Sequence, residues 1–392
     1  MQAVILAAGE GVRLRPLTVN RPKPLIEFAG TTSLEYNLSQ LKGLVREAII
    51  IIGYKGELVQ EKIGDDYRGI KIKYVWQEKQ LGTGDAVKKA APFIKKEFLV
   101  LNGDDFYASE DFKKCSKKLP CILIKEAEDP SNLGQVVFKG NTVKDIIEKP
   151  PEMISRFGYI GMALFDKSIF NYEIKMSERG EYEITDYIKE IAKNHQLYYV
   201  KTQDWHPITA PWDIIKVNNL LLEKRKAKNE GSIEKNVVLK GNVILEKNVR
   251  VLSGSYIEGP VLIRQGSTIG PNSYIRGSTT IGKNCRIGAS VEVKNCVVGS
   301  DTRICHLAYI GDSVIGNNVN IAAGTLVANL RHDGGFVKSM VKGVLVDTKL
   351  RKFGCVIGDN VKTGIGTLIY PGRKIWPNKN TLPGEIVKED KM

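Results

Sequence analysis

Residues 3–24 read AVILAAGEGVRLRPLTVNRPKP. The run Val4–Ala8 is short and apolar, and Gly9 bounds it, which is the pattern of a strand buried on both faces of a parallel sheet. Gly9 and Gly11 then let the backbone turn sharply and bring its N–H groups close to an anion. Arg13 and Arg15 add fixed positive charge beside those amides. Lys23 stands between Pro22 and Pro24, which hold the local backbone extended. Strand, glycine turn, arginines and a pinned lysine together describe a cradle for a polyphosphate.

Two commoner phosphate motifs are excluded. The dinucleotide fingerprint needs a third glycine where Leu14 stands, and no Gly-Lys-Ser/Thr follows for a P-loop. The full string, LAAGEGVRLRPLT followed by RPKPL, resembles the signature of the sugar-1-phosphate nucleotidylyltransferases. The resemblance implies that Leu6, Ala8, Gly9 and Gly11 border the nucleotide, and that Arg13 and Lys23 neutralise its triphosphate.

Further along, Ser33–Leu44 has helical spacing, Ala48–Ile52 reads as a second buried strand, Glu57–Ile63 as a short helix and Ile70–Trp76 as an alternating third strand. This alternation predicts an α/β fold, a doubly wound, Rossmann-like and mostly parallel sheet with ligands at the carboxyl ends of its strands. Gln77 and the loop Leu81-Gly82-Thr83-Gly84-Asp85 fall at such an end. Taken alone the loop is equally an ordinary glycine turn before a helix over Asp85–Ala91. The resemblance implies that Gln77, Gly82 and Thr83 read the pyrimidine base.

The strand Phe98–Leu101 runs into Asn102-Gly103-Asp104-Asp105. A carboxylate just past a central strand, opposite a phosphate cradle, suits Mg²⁺, which prefers carboxylate and phosphate oxygens. The Gly-Asp pair matches the family's metal position, so the expected ligand is Asp104. For the sugar, Gly134 precedes the strand Gln135–Lys139, and Ile146–Pro150 resembles the family's Glu-Lys-Pro element. That element implies Glu148 on sugar hydroxyls and Lys149 near the sugar phosphate; Glu181–Asp186 resembles a further sugar element. Two departures stand out. Tyr159-Ile160-Gly161 replaces an Asn- or Val-Thr-Gly, and Trp205-His206-Pro207 puts proline where one branch carries a second metal-binding Asp. Asp213 is the nearest carboxylate and the expected substitute; its other reading is a charge favoured at a helix N-terminus. An amphipathic helix starts at Trp212 and turns highly charged towards Gly231, which divides the chain into expected domains 1–230 and 231–392.

From Ile233 an aliphatic residue recurs at every sixth position: Leu239, Leu245, Val251, Ile257, Ile263, Ile269, Ile275, Ile281, Ile287 and Val293 follow. No helix of 3.6-residue period has this repeat; it is the hexapeptide repeat of a parallel β-helix, three hexapeptides to a triangular coil with the aliphatics stacked inside. By resemblance the helix is left-handed and packs as a homotrimer or a hexamer. The register slips by one residue between Val293 and Val298 and between Ile310 and Ile315, and an insertion over about Ala328–Phe353 interrupts it.

The segment CHLAYIGDSVIGNNVNIAAGT, within Lys294–Asn329, resembles the acetyltransferase half of the bifunctional enzymes that make UDP-N-acetylglucosamine. The resemblance implies that His306 takes the proton from an amine attacking acetyl-CoA, and imidazole suits that role near neutral pH. It also implies that Arg276, Lys294, Tyr309 and Asn320 hold an amino-sugar phosphate, and that Lys338 and Lys342 of the insertion meet CoA phosphates. Cys305 beside His306 suggests a thiol nucleophile, but direct transfer from CoA needs none.

Composition narrows the partners. The chain has 392 residues, a net charge of +14 and six cysteines without a paired metal spacing. Lysines and arginines are scattered and no nucleic-acid motif occurs, so anionic small substrates are expected rather than nucleic acid or membrane. The beginning of the chain reads as strand, not signal segment, and the thiols read as reduced, so a cytoplasmic location is expected. The reading as a whole is a bifunctional enzyme using UTP or dTTP, a sugar-1-phosphate, acetyl-CoA and Mg²⁺. Its competitors are a monofunctional hexose-1-phosphate uridylyl- or thymidylyltransferase with a scaffold β-helix, and a non-catalytic sugar-nucleotide sensor.

Overall fold

The computed structural model describes residues 1–392. The chain forms two compact units. The first comprises Met1–Glu10, Pro22–Leu25 and Ser33–Pro207; the second comprises Gly11–Arg21, Ile26–Thr32 and Ile208–Met392.

The first unit is a doubly wound sheet. Its strands are β1 (Gln2–Ala7), β2 (Glu47–Ile52), β3 (Asp66–Tyr67), β4 (Ile70–Trp76), β5 (Glu97–Asn102), β6 (Cys121–Glu126), β7 (Gly134–Lys139), β8 (Thr142–Glu148), β9 (Phe157–Asp166) and β10 (Tyr198–Lys201). They run in the order β10-β6-β9-β5-β1-β2-β4-β3, with β7 between β8 and β9. The central strands β5, β1, β2 and β4 are parallel, and β9 enters antiparallel between β5 and β6. The helices are α1 (Ser33–Gln40), α2 (Gly56–Ile63), α3 (Thr83–Lys89), α4 (Ser109–Cys115) and α5 (Ile184–Asn194). The strand periodicity explains the two layers. In β2, Ile50 and Ile52 join the apolar cluster of Leu34 and Leu38 from α1, while Ile49 and Ile51 join that of Val87 from α3 and Ile188 from α5. Successive side chains thus bury against opposite helical layers, which is why β2 is almost wholly apolar.

The second unit is a parallel β-helix whose three faces are sheets of eight, six and eight strands. Partners lie eighteen residues apart along the chain, as in Val251 with Ile269 and Ile269 with Ile287. The two register slips are shortened turns of the prism: Ile287 pairs with Ile304 across the first and Ile304 with Ile321 across the second, each seventeen residues on. The repeating aliphatics from Leu245 to Val293 are fully buried and form one continuous core. Ile233 and Leu239 are exposed instead, because they belong to the first coil and have no coil beneath them. The insertion is not a structureless loop. It carries a hairpin, Lys338–Val341 with Val344–Asp347, and ends at the buried Phe353.

The division between units differs from the expected boundary at residue 230. Helix α6 (Pro211–Glu223) belongs to the second unit, where it packs on the strands Thr279–Ile281, Val297–Val298 and Val314–Ile315. Its buried Asn218 fastens it there. Asn218 Nδ2 donates to Ser278 O at 2.6 Å, and Oδ1 accepts from Thr280 Oγ1 at 2.7 Å and Ala29 N at 2.8 Å. An amphipathic pattern marks a helix but not the surface that covers its apolar face.

Candidate active sites

In the first unit, chemistry gathers at the carboxyl ends of β1, β4 and β5. Gly103, just past β5, donates its N–H to Leu6 O at 2.8 Å, tying the end of β5 to β1. The start of α1 grips the same turn: Ser33 Oγ donates to Gly103 O at 2.8 Å and Asn37 Nδ2 to Asp105 O at 2.7 Å. This leaves Asp104 partly exposed and ion-paired with Lys23. Its neighbour Asp105 is buried and accepts from Asn102 Nδ2 (3.1 Å), Trp205 Nε1 (3.3 Å) and Tyr107 Oη (3.4 Å). Burial, with Asp104 close by, pushes the Asp105 carboxyl up to about 7. Adjacent carboxylates therefore have different characters, one open and paired, the other enclosed. Gly161 faces this turn with φ +78°, and a Cβ there would lie 2.1 Å from Asn102 Nδ2.

Ala8 O accepts from Tyr54 N and Gln80 Nε2, each at 3.1 Å, and space is open around Gly9. Gln77 is buried, and its Nε2 donates to Gly82 O at 3.0 Å and Asp85 Oδ2 at 2.8 Å. Gly82 has φ +101°, and a Cβ would strike Tyr182 O at 2.4 Å. That close approach has a cause. Leu81–Gly84 is laced to the segment Tyr182–Ile184 by Tyr182 N to Leu81 O and Gly84 N to Tyr182 O, both 2.7 Å, and Ile184 N to Thr83 Oγ1 at 3.1 Å. The loop expected to read the base and the segment expected to hold the sugar are thus bonded neighbours.

Gly134 lies in register with Glu148 on one side and Tyr159 on the other, and a Cβ on it would meet Glu148 Oε2 at 3.0 Å. Glu148 Oε1 pairs with Lys149 Nζ at 3.3 Å and Arg179 Nη2 at 3.4 Å, and Arg179 also pairs with the buried Glu183. Arg179 escaped the sequence reading; its only signal was a lone arginine just before the Glu-Tyr-Glu string.

The remaining residues of the expected nucleotide and metal sites belong to the second unit. Gly11 is left-handed (φ 66°), Thr18 Oγ1 closes the loop onto Gly11 O at 2.9 Å, and Arg13 is exposed while Leu14 is buried. Asp213 serves as a helix cap: its Oδ2 accepts from Thr209 N (2.8 Å), Thr209 Oγ1 (2.7 Å) and Ala210 N (2.8 Å). With that oxygen committed to α6, the cap reading of Asp213 has geometric support. No cluster of three or more metal-ligating side chains occurs.

On the β-helix, His306 ends the strand Arg303–His306 and is exposed. Cys305, the residue before it in the strand, is half-buried. On the next face of the prism, Arg276 and Lys294 are cross-strand neighbours, as are Glu292 and Tyr309. Arg276 pairs with Glu292 at 2.7 Å. Asp312 is buried and gathers Lys294 Nζ at 3.2 Å, Asn295 Nδ2 at 2.7 Å and the amide of Asn329, which also donates to Tyr309 Oη at 3.1 Å. Lys294 and Tyr309 are therefore brought together; Asn320 pairs with Arg303 one coil beyond, and Lys342 lies at the tip of the inserted hairpin. Asp312 and Asn329 were missed in sequence, although Asp312 lies within the second register slip, where side chains are re-aimed.

A doubly wound sheet with a Lys–Asp pair at its strand ends, joined to a β-helix bearing an exposed histidine and a polar cluster, defines a two-part group transferase. The comparisons agree. The nucleotidyl transferase family model matches residues 2–224, and the GMPPB C-terminal domain matches residues 257–389. The chain belongs to the nucleotidyl transferase family, and within it to the bifunctional enzymes. It is 42% identical over 96% of its length, and 92% of the relative's, to the bifunctional protein GlmU of Methanocaldococcus jannaschii. It is 39% identical, over its full length and 98% of the relative's, to the bifunctional sugar-1-phosphate nucleotidylyltransferase/acetyltransferase of Sulfurisphaera tokodaii. A Bacillus anthracis structure assigned as a glucose-1-phosphate thymidylyltransferase, in complex with a sucrose, is similar at 26% identity and TM-score 0.52, covering 58% of this chain and 98% of that one.

Proposed function

We propose that this chain acetylates glucosamine-1-phosphate from acetyl-CoA and transfers a uridylyl group from UTP to N-acetylglucosamine-1-phosphate, releasing pyrophosphate. The observation that carries the reading is the open Lys23–Asp104 pair at the end of β5, set apart from an enclosed Asp105.

The nucleotidyl step needs no protein nucleophile. The sugar phosphate oxygen attacks the α-phosphorus of UTP in line, the bond to the bridging oxygen breaks, and pyrophosphate leaves with that electron pair. The contribution of the protein is positioning and electrostatic stabilisation. Lys23 and Arg13 neutralise the polyphosphate, Gln77, Gly82 and Thr83 border the base, and Gly134 leaves room for a sugar beside Glu148 and Lys149. A single open carboxylate suits Mg²⁺, which takes one or two carboxylates together with phosphate oxygens. Asp104 would hold it, and the ion would supply further charge neutralisation at the reacting phosphates.

In the second reaction the amine of the amino sugar attacks the thioester carbonyl, His306 accepts the amine proton, the C–S bond breaks, and the departing CoA thiolate takes that proton back from His306. Lys294, Arg276 and Tyr309 suit the sugar phosphate, and Lys342 suits CoA phosphates. The outer row of one prism face supports the expectation of a homotrimer or hexamer. Val238, Tyr256, Leu326, Leu368 and Ile386 are exposed there, in one line of register. Pyrophosphate release from UTP and N-acetylglucosamine-1-phosphate tests the first activity: Asp104→Ala is expected to abolish it, and full activity in that variant refutes the assignment.

A further inference from the structure

The last coils of the β-helix hold a side chain that neither proposed reaction uses. In the strand Arg373–Ile375, Ile375 points into the prism and is paired with Ile357. Lys374 faces the other way, yet it is only 1% exposed. Its Nζ donates to the backbone carbonyl of Arg15 at 3.1 Å. One turn of the prism earlier, Asp359 makes a second contact with the same segment: Arg21 Nη2 pairs with Asp359 Oδ2 at 2.6 Å, with Asn20 Nδ2 at 3.5 Å. Asp359 is itself fixed, since its Oδ1 accepts from Asn317 N at 2.8 Å. The glycine-turn loop Gly11–Arg21 is thus grasped at two points by prism residues.

Burying an ammonium is unfavourable unless its position matters, and an apolar side chain of similar length would cover the loop at less cost. What lysine adds is direction. It fixes one carbonyl, two residues after Arg13, and with it the path of the loop that presents Arg13. We infer that Lys374 and Asp359 are positioning residues for nucleotidyl transfer, holding the triphosphate-binding loop from the final coils of the β-helix. The inference rests on the nucleotidyltransferase reading above. It makes the β-helix a working part of the first reaction as well as the second.

The test compares Lys374→Met, Lys374→Arg and Arg21→Gln with the natural chain, measuring KM and kcat for UTP, KM for the sugar phosphate and acetyltransferase rate. Loss of one charge-assisted hydrogen bond is expected to raise the KM for UTP about ten-fold in Lys374→Met, with kcat and the sugar KM little changed. Acetyltransferase activity stays at the natural level and certifies the fold. Lys374→Arg, which keeps a donor, recovers part of the affinity, whereas a packing role would favour Met. Should Lys374→Met fail to fold, Arg21→Gln decides, with the same expected rise in KM. A natural UTP KM in the folded variants overturns the inference. Absence of pyrophosphate release from the natural chain would instead overturn the reading on which it rests.

Discussion

Lys374 allows a stability prediction with a definite sign. Burial lowers its ammonium from the usual 10.5 to about 8, with Asp390 opposing the shift. A depression of roughly 2.5 units corresponds to about 3 kcal/mol at 1.36 kcal/mol per unit. In the unfolded chain the lysine titrates near 10.5. Below pH 8 it is charged in both states and the full burial penalty applies; above 10.5 it is neutral in both and the penalty vanishes. The stability contribution is therefore present above the unfolded value and is lost as pH falls through 8. Denaturant unfolding of the natural chain and Lys374→Met, followed from pH 7 to 10.5, isolates this group because other titrations cancel in the difference. The natural chain is expected to gain about 3 kcal/mol relative to the Met variant between pH 8 and 10.5. A difference that stays flat over that interval would refute the argument that a buried ammonium is held against Arg15.

Two further substitutions probe each site separately. Asp312→Asn replaces the oxygen pair that gathers Lys294, Asn295 and Asn329 with one oxygen and one donor. At about 1.5–3 kcal/mol per hydrogen bond to a charged group, the KM for the amino-sugar phosphate should rise at least ten-fold while pyrophosphate release is untouched; unchanged acetyl transfer kinetics would count against the cluster. Gly161→Ala forces a Cβ into Asn102 and so displaces a donor from Asp105; steady-state kinetics should show uridylyl transfer falling about ten-fold or more with acetyl transfer retained, and a normal rate would show that this turn tolerates movement.

Much of the architecture was legible because the periods were clean. The buried runs at Val4–Ala8, Ala48–Ile52 and Phe98–Leu101 correspond to β1, β2 and β5, and the six-residue ladder of aliphatics corresponds to the prism core. Even the slips had meaning, as shortened coils. What escaped was long-range. Nothing in the spacing of α6 shows that its apolar stripe belongs to the β-helix, since periodicity records a buried face and not its cover. Asp213 read as either ligand or cap, and only the bonds from Thr209 and Ala210 favour the cap. Arg179, Asp312, Asn329 and Lys374 carry no local motif; each becomes meaningful through partners distant in the chain.

On this reading one chain carries two separable transferase sites. Free thiol release from acetyl-CoA with glucosamine-1-phosphate, measured for the natural chain and for His306→Ala, tests it most directly. Thiol release that disappears in His306→Ala, with pyrophosphate formation from UTP and N-acetylglucosamine-1-phosphate preserved, is the predicted result. No thiol release from the folded natural chain, with galactosamine-1-phosphate also inactive, would contradict it and leave the β-helix without a reaction of its own.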